Sequence, residues 1–276
     1  MILAVTILFW ACVLAVFHSY VIFPLVLRLA AYLRKQQTIG VAAEGTEPMI
    51  SILLSAYNEE AVIEEKIRSV YKTRYPADRF ELLIGSDHSS DRTVEIVERL
   101  VKEFPSIRFF NFCDRQGKPN VINQLAQHAI GEIFILTDAN VIFDSDTLTN
   151  ITSPFVDKTI GLVDTQMINI GIKEGGISYQ EKTYISREVQ IKHLESTLWG
   201  TMMGPFGGCF AIRKDLFKPV PVNFLVDDFY LNMSVIEAGY KAINNPAARV
   251  YEDVSNDLSI EFQRKIRIAT GNFQNL

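Results

Sequence analysis

Between residues 49 and 137, short apolar runs alternate with amphipathic stretches, and this narrows the fold more than any other feature of the chain. Met49 to Ala56 reads MISILLSA, the pattern of a strand buried on both faces. Glu59 to Lys72 sets Val62, Ile63, Ile67 and Val70 on one side of a helix. Phe80 to Gly85 is a second strand, Asp91 to Glu103 a second helix, Ile107 to Phe112 a third strand and Lys118 to Ala129 a third helix. Ile133 to Thr137 is a fourth strand that runs into a polar turn. This alternation predicts an α/β domain with a mostly parallel sheet and helices on both faces.

The remainder is less regular. Gly161 to Met167 reads as a strand and Ile177 to Leu198 as a long, mostly helical segment. Gly204 to Gly208 forms a tight loop that leads into the strand-like CFAI. A helix is expected over Val226 to Ala238, two short strands at Tyr240 to Ile243 and Ala248 to Tyr251, and a basic helix from Ser259 onward.

The opening of the chain has a different character. No residue from Met1 to Leu27 is charged, and Arg28, Arg34 and Lys35 follow. At about 1.5 Å per residue this stretch is long enough to cross a bilayer. It lacks the basic start and the cleavage site of a secretory signal. A helix lying on or partly in the membrane is a competing reading, and Pro24 with the amphipathic Leu25 to Leu33 makes an interfacial exit an expectation. Basic residues on the exit side place the following domain in the cytoplasm, at the inner (cytoplasmic) membrane. Residues 36–48 are a polar linker ending at Pro48. The chain therefore divides into a transmembrane anchor over 1–33, a linker over 34–48 and a main domain over 49–276, whose about 230 residues suffice for one core.

With 32 acidic and 27 basic residues the formal charge is -5, which gives no general signal for nucleic acid. Cys12, Cys113 and Cys209 are odd in number and far apart, so they suggest neither a disulfide framework nor a metal cluster. His18, His88, His128 and His193 show no metal spacing, and no nucleophilic triad is evident.

Parallel sheets place ligand sites at the carboxyl ends of their strands. Polar clusters sit there four times: Tyr57-Asn58-Glu59-Glu60, then Asp87, then Gly117-Lys118, then Asp138-Ala139-Asn140. Each has a plain alternative. Ser90 or Asp91 can cap the second helix, D-A-N can be a simple turn, and Lys118 can be a solvated lysine. Asp138 and Asn140 lie two apart, so in an extended turn both can offer oxygen to Mg²⁺ or Mn²⁺. Asp227-Asp228 opens a helix, where one carboxylate serves as a cap and the second is available as a proton acceptor. Arg264, Lys265 and Arg267 suit pyrophosphate, anionic lipid headgroups or plain solvent.

In this order the segments resemble family 2 of the glycosyltransferases, enzymes of the GT-A fold. Within that family the chain resembles the membrane-associated bacterial type related to cellulose and hyaluronan synthases. The likeness covers about residues 48 to 272. SILLSAYNEE resembles the opening strand and nucleotide-base loop, which implies Ala56, Tyr57 and Glu59 around the base. Asp87 in SDHSSDRT matches the acid that recognises the nucleoside, with Ser86 where a second aspartate is common. QGKPNVIN implies Gly117, Lys118 and Asn123 near the donor. TDAN resembles the D-x-D region, with Asp138 retained as the metal-proximal acid and Asn140 in place of the second acid. GPFGGCFAIRKDLF, with Gly208, resembles the loop and strand beside the sugar and acceptor. DDF stands where the family has an E-D pair, so Asp228 matches the catalytic base. RKIRI occupies the place of Q-x-x-R-W. Arg264 replaces the glutamine, Arg267 is retained, and Ile268 replaces the tryptophan found near the acceptor in processive synthases, which favours a single addition.

The resemblance implies an inverting, metal-dependent transfer of a hexose from a nucleotide-diphosphate sugar, with a UDP-sugar favoured through Asp87. The implied acceptor is a hydroxyl of a membrane lipid, a lipid-linked sugar or a surface polysaccharide, and a membrane partner protein is a further expectation. Two rivals differ in class. A sugar-phosphate nucleotidyltransferase lacks support because its early Gly-rich loop is absent, whereas an inactive nucleotide-binding scaffold at the membrane draws on Asn140 and Arg264. No further hydrophobic helices follow the last motif, so the chain is expected to be naturally short or cut.

Overall fold

A computed structural model describes residues 2–33, 47–171, 177–253 and 257–274. Most of the expected linker thus lies outside the described residues. The first element is one continuous apolar helix from Ile2 to Leu33, 32 residues long. It comprises α1 (Ile2–Phe17), a π turn (His18–Ile22) and α2 (Phe23–Leu33). Pro24 has no N–H, and its ring would crowd the carbonyl four residues back in a regular α-helix. The wider turn just before it, closed by Phe23 N–H donating to the His18 carbonyl, lets the helix pass the proline. All described residues of α1 are exposed, whereas α2 buries Pro24 and Leu27.

The domain that follows is built on one eight-stranded sheet. Its strands are β1 (Ile50–Ala56), β2 (Phe80–Ser86), β3 (Ile107–Asn111), β4 (Ile133–Thr137), β5 (Val141–Phe143), β6 (Ile160–Ile170), β7 (Cys209–Arg213) and β8 (Lys241–Asp253). Their spatial order is β3-β2-β1-β4-β7-β6-β8-β5. The helices are α3 (Ile63–Tyr71), α4 (Thr93–Glu103), α5 (Lys118–His128), α6 (Thr147–Thr152), α7 (Ile177–Trp199), α8 (Asp227–Glu237) and α9 (Leu258–Gln274).

The half with β1 to β4 is parallel, as the alternation predicts, and α3, α4 and α5 make its crossovers. Successive residues of β1 serve opposite faces. Ile50, Ile52 and Leu54 join Ile63, Ile67, Val97 and Leu100 of α3 and α4, while Leu53 joins Val121 and Leu125 of α5 and Leu231 and Val235 of α8.

The other half adds two reversed strands to the expected mostly parallel sheet. Strand β7 runs antiparallel to both β4 and β6, and β5 runs antiparallel to β8, so the sheet is mixed. The two short strands expected after Tyr240 are one strand, β8, parallel to β6. Its register jumps between the Asp164–Asn244 and Gln166–Arg249 pairs. Pro246, which cannot donate to a ladder, sits in that interruption.

Because β6 is reached through two antiparallel steps from β4, and β8 is parallel to β6, the carboxyl ends of β1, β2, β3, β4, β6 and β8 share one edge.

Candidate active site

At that edge the loops are tied to one another by backbone groups. The Ala56 carbonyl accepts the N–H of Asp87 (2.8 Å), joining the loops after β1 and β2. Asn58 Oδ1 accepts the Ser90 N–H (2.8 Å), and Glu59 N–H donates to Thr93 Oγ1 (2.8 Å). Asp91 caps the start of α4, accepting the Thr93 N–H at 3.0 Å, and so takes the structural role considered for it above. Tyr57 stands out from this frame, with the Arg115 guanidinium 3.8 Å from its ring centroid.

Asp87 is buried, and its two carboxylate oxygens accept the N–H groups of Gln116 (2.6 Å) and Gly117 (2.9 Å). Gly117 has φ +85°, a backbone angle that side chains rarely tolerate. The bend starts α5 with Lys118 and sends its ammonium to Asp138 Oδ1 (2.8 Å) and Asp227 Oδ2 (3.6 Å). Burial works against the Lys118 ammonium, but Asp138 and then Asp227 outweigh it and hold its pKa above the ordinary lysine range.

Asp228 follows in the first turn of α8. Burial, then the neighbouring Asp227, push its pKa up to about 7, while Lys118 opposes them. A side chain at Gly207 (φ +90°) would collide with Asp228 Oδ2, so the glycine loop leaves the space the carboxylate occupies. Glu59 is likewise raised to about 7, by burial and then by Asp138 and Asp91.

The structure brings Lys118, Asp138, Asp227 and Asp228 into one cluster, with Asp87 and Gly117 behind it. Gly208 backs the D-A-N turn, since its carbonyl accepts the Asp138 N–H at 3.0 Å. Asn123, expected beside the donor, has both amide atoms engaged with Val220. Its Nδ2 donates to the Val220 carbonyl (2.8 Å) and its Oδ1 accepts the Val220 N–H (2.9 Å). Arg264 on α9 lies 3.7 Å from Glu252 of β8, and Arg267 is exposed on the same helix.

Three charged groups here were not singled out in the sequence. Glu252 accepts the Asn140 Nδ2–H at 3.0 Å, linking the D-A-N turn to Arg264. Asp164, fully buried in β6, accepts the Phe206 N–H (3.2 Å) and so supports the glycine loop, and burial pushes its pKa up to about 6. Lys66 is fully buried in α3. The signal for the last two was present: an aspartate inside the apolar run GLVDTQM, and a lysine on the inward stripe with Ile63, Ile67 and Val70.

Among the described residues no group of three or more His, Cys, Asp or Glu side chains can hold a metal alone. Asp138 and Asn140 do offer hard oxygen ligands. The Asn140 nitrogen is turned to Glu252, which leaves its oxygen for other partners. A cation that keeps waters and takes its remaining ligands from a substrate diphosphate suits such a set.

The glycosyl transferase family 2 model matches residues 51–220, more than half of the chain. The beta-monoglucosyldiacylglycerol synthase of Trichormus variabilis is 29% identical over 175 residues, covering 63% of this chain and 37% of that protein. The poly-beta-1,6-N-acetyl-D-glucosamine synthase of Staphylococcus aureus is 29% identical over 228 residues, covering 80% of this chain and 54% of that protein. The chain thus spans about half, or less, of the length of these relatives. Among solved structures, a mannosyltransferase from Pyrobaculum calidifontis in complex with GDP-Man and Mn²⁺ superposes with a TM-score of 0.76 at 25% identity, covering 96% of this chain and 74% of that one.

Proposed function

The chain belongs to glycosyl transferase family 2, enzymes that transfer a sugar from a nucleotide-sugar donor, and on that premise we propose that it moves a hexose, with inversion, to a hydroxyl of a membrane-associated lipid or glycan. The observation that carries this reading is the cluster at the carboxyl edge, in which one carboxylate is raised toward neutrality beside a cation held between two others. In the proposed reaction Asp228 accepts the proton of the acceptor hydroxyl. The oxygen forms a bond to the anomeric carbon as the bond to the nucleotide diphosphate breaks, and the leaving group takes the electron pair. Lys118, Arg264 and Arg267 offset the charge that gathers there. Asp138 and Asn140 would hold a divalent ion, which supplies further charge neutralisation to the diphosphate.

Tyr57, Ala56, Glu59 and Asp87 are read as the base side of the donor site, with a UDP-sugar as the first choice. A GDP-sugar is the second reading, favoured by the GDP-Man in the Pyrobaculum mannosyltransferase. The names of the relatives above support the reading of a lipid or polysaccharide acceptor and of a membrane-associated branch.

The N-terminal helix is read as a span whose lower end rests on the domain, which is read as cytoplasmic. Its 32 residues would extend about 48 Å, longer than the roughly 30 Å of a bilayer's hydrocarbon core. The surplus is docked: Arg28 donates to Gln190 of α7 (3.2 Å), and the Arg187 guanidinium lies 5.8 Å from the Tyr20 ring centroid.

The test is a screen of UDP-, GDP- and TDP-sugars against the detergent-purified chain with Mg²⁺ or Mn²⁺. Binding and turnover of one donor support the reading and name the sugar. No binding to any nucleotide sugar by a folded sample refutes the donor site.

A further inference from the structure

Lys66 has no place in the reaction above, yet its side chain is among the largest that are fully buried. A buried ammonium is costly unless its N–H groups are met. Here all three directions are used. Nζ donates to Thr137 Oγ1 (2.8 Å) and to the Val141 carbonyl (2.5 Å), and it lies 3.5 Å from the centroid of the Phe143 ring. Thr137 is the last residue of β4 and Val141 the first of β5. Between them stand only Asp138, Ala139 and Asn140.

The bracing extends further. Thr137 Oγ1 lies 3.3 Å from the Gly208 carbonyl, which also accepts the Asp138 N–H. One turn along α3, Ser69 Oγ accepts the Phe143 N–H at 3.2 Å. Thus α3 grips β5 through Lys66 and Ser69, and Lys66 Nζ bonds to both ends of the turn.

We propose that Lys66 is a positioning residue of the glycosyl transfer. Its ammonium clasps the turn that presents Asp138 and Asn140 to the donor diphosphate, and sets a fixed positive charge behind that turn. The proposal rests on the donor-site reading given above. A neutral residue of similar volume would fill the space and relieve the burial of charge, so such a variant should fold while its turn loosens. Stability and donor binding then move independently, which a merely structural lysine does not explain.

The experiment compares the full chain in detergent with Lys66→Met and Thr137→Val. It reads thermal midpoint, affinity for a UDP-sugar and a GDP-sugar with Mn²⁺, and donor turnover. The expected result is a midpoint for Lys66→Met within a few degrees of the parent's, since relief of the buried charge offsets the loss of a donor to the Val141 carbonyl, with affinity and kcat each lowered about tenfold, the equivalent of roughly 1.4 kcal/mol. Thr137→Val, which removes one acceptor and keeps the shape, should lose affinity in the same sense by a smaller factor. It carries the test if Lys66→Met does not fold. Parent-like affinity and kcat in the folded variants overturn the clasp. Failure of the parent itself to bind any nucleotide sugar overturns the donor-site reading instead.

Discussion

Asp228→Asn separates chemistry from binding, and its consequences can be worked out in sign and size. The carboxyl rises from an ordinary 3.8 to about 7, through burial first and the Asp227 charge second. That rise corresponds to about 4 kcal/mol. Because Asp228 is partly exposed, solvent screening reduces it to about 2 kcal/mol. The sign follows from proton linkage: a folded-state value above the unfolded one means that the folded chain binds the extra proton between pH 4 and 7. The cost is absent below about pH 4, grows through that interval and is complete above 7. Asparagine does not titrate, so the variant should be more stable than the parent at pH 8, with a midpoint a few degrees higher, and equal to it at pH 4. Turnover should fall on the order of 10³-fold while donor affinity persists. Parent turnover should drop tenfold per unit below about pH 7, with an apparent value that belongs to the Asp227–Asp228 pair. Asp227→Asn should move that limb to lower pH. The assay is donor turnover against pH, beside calorimetric or fluorescence melting of both proteins. A variant that keeps turnover within tenfold of the parent, or a parent limb near pH 4, refutes the reasoning.

Two further expectations concern the frame. Gly207→Ala places a methyl group against Asp228 Oδ2 at a backbone angle of +90°, so it should lower kcat at least tenfold with little change in donor affinity, a split that steady-state kinetics reads directly. Asp87→Asn weakens acceptance of the Gln116 and Gly117 N–H groups, hydrogen bonds to a charged group worth about 1.5–3 kcal/mol each. It should lower the thermal midpoint and weaken nucleotide-sugar binding at least tenfold, as titration calorimetry would show.

The parallel half of the sheet is legible because each crossover buries a strand on both faces and a helix on one. The runs around Leu53, Leu83 and Leu136 therefore announce themselves. The return of the chain in the second half carries no such mark. CFAI reads as a strand, but nothing local states that Cys209 lies opposite Thr137 and antiparallel to it. In β8 the stretch from Asn245 to Ala248, with its proline, reads as a break, yet the ladder to β6 resumes at Arg249. Pro24 is the same case in a helix: its local meaning is interruption, and the π turn ahead of it absorbs the misfit.

At the site, legibility divides by the distance over which charges meet. Asp87, Lys118, Asp138 and Asp228 stand out because each is polar at the end of an apolar strand or the start of a helix. Glu252 does not, since it acts on a turn 112 positions away, and Lys66 shows only as a lysine on an inward apolar stripe, its partner lying 71 positions on. What they support is a pocket with an unequal charge balance. Around the Lys118 ammonium stand Asp138, Asp227 and Asp228, so one cation faces three carboxyl groups. A donor diphosphate adds more negative charge to the same volume. Raising Asp228 toward neutrality removes part of the conflict. The positive charge of Lys66 behind the turn and of Arg264 beyond Glu252 removes another part. The remainder is what a divalent ion brought in with the diphosphate would neutralise, with Asp138 and the Asn140 oxygen as the residues that would hold it. Donor affinity should therefore depend on Mg²⁺ or Mn²⁺ more steeply than two oxygen ligands alone suggest, because the ion offsets repulsion from the whole cluster.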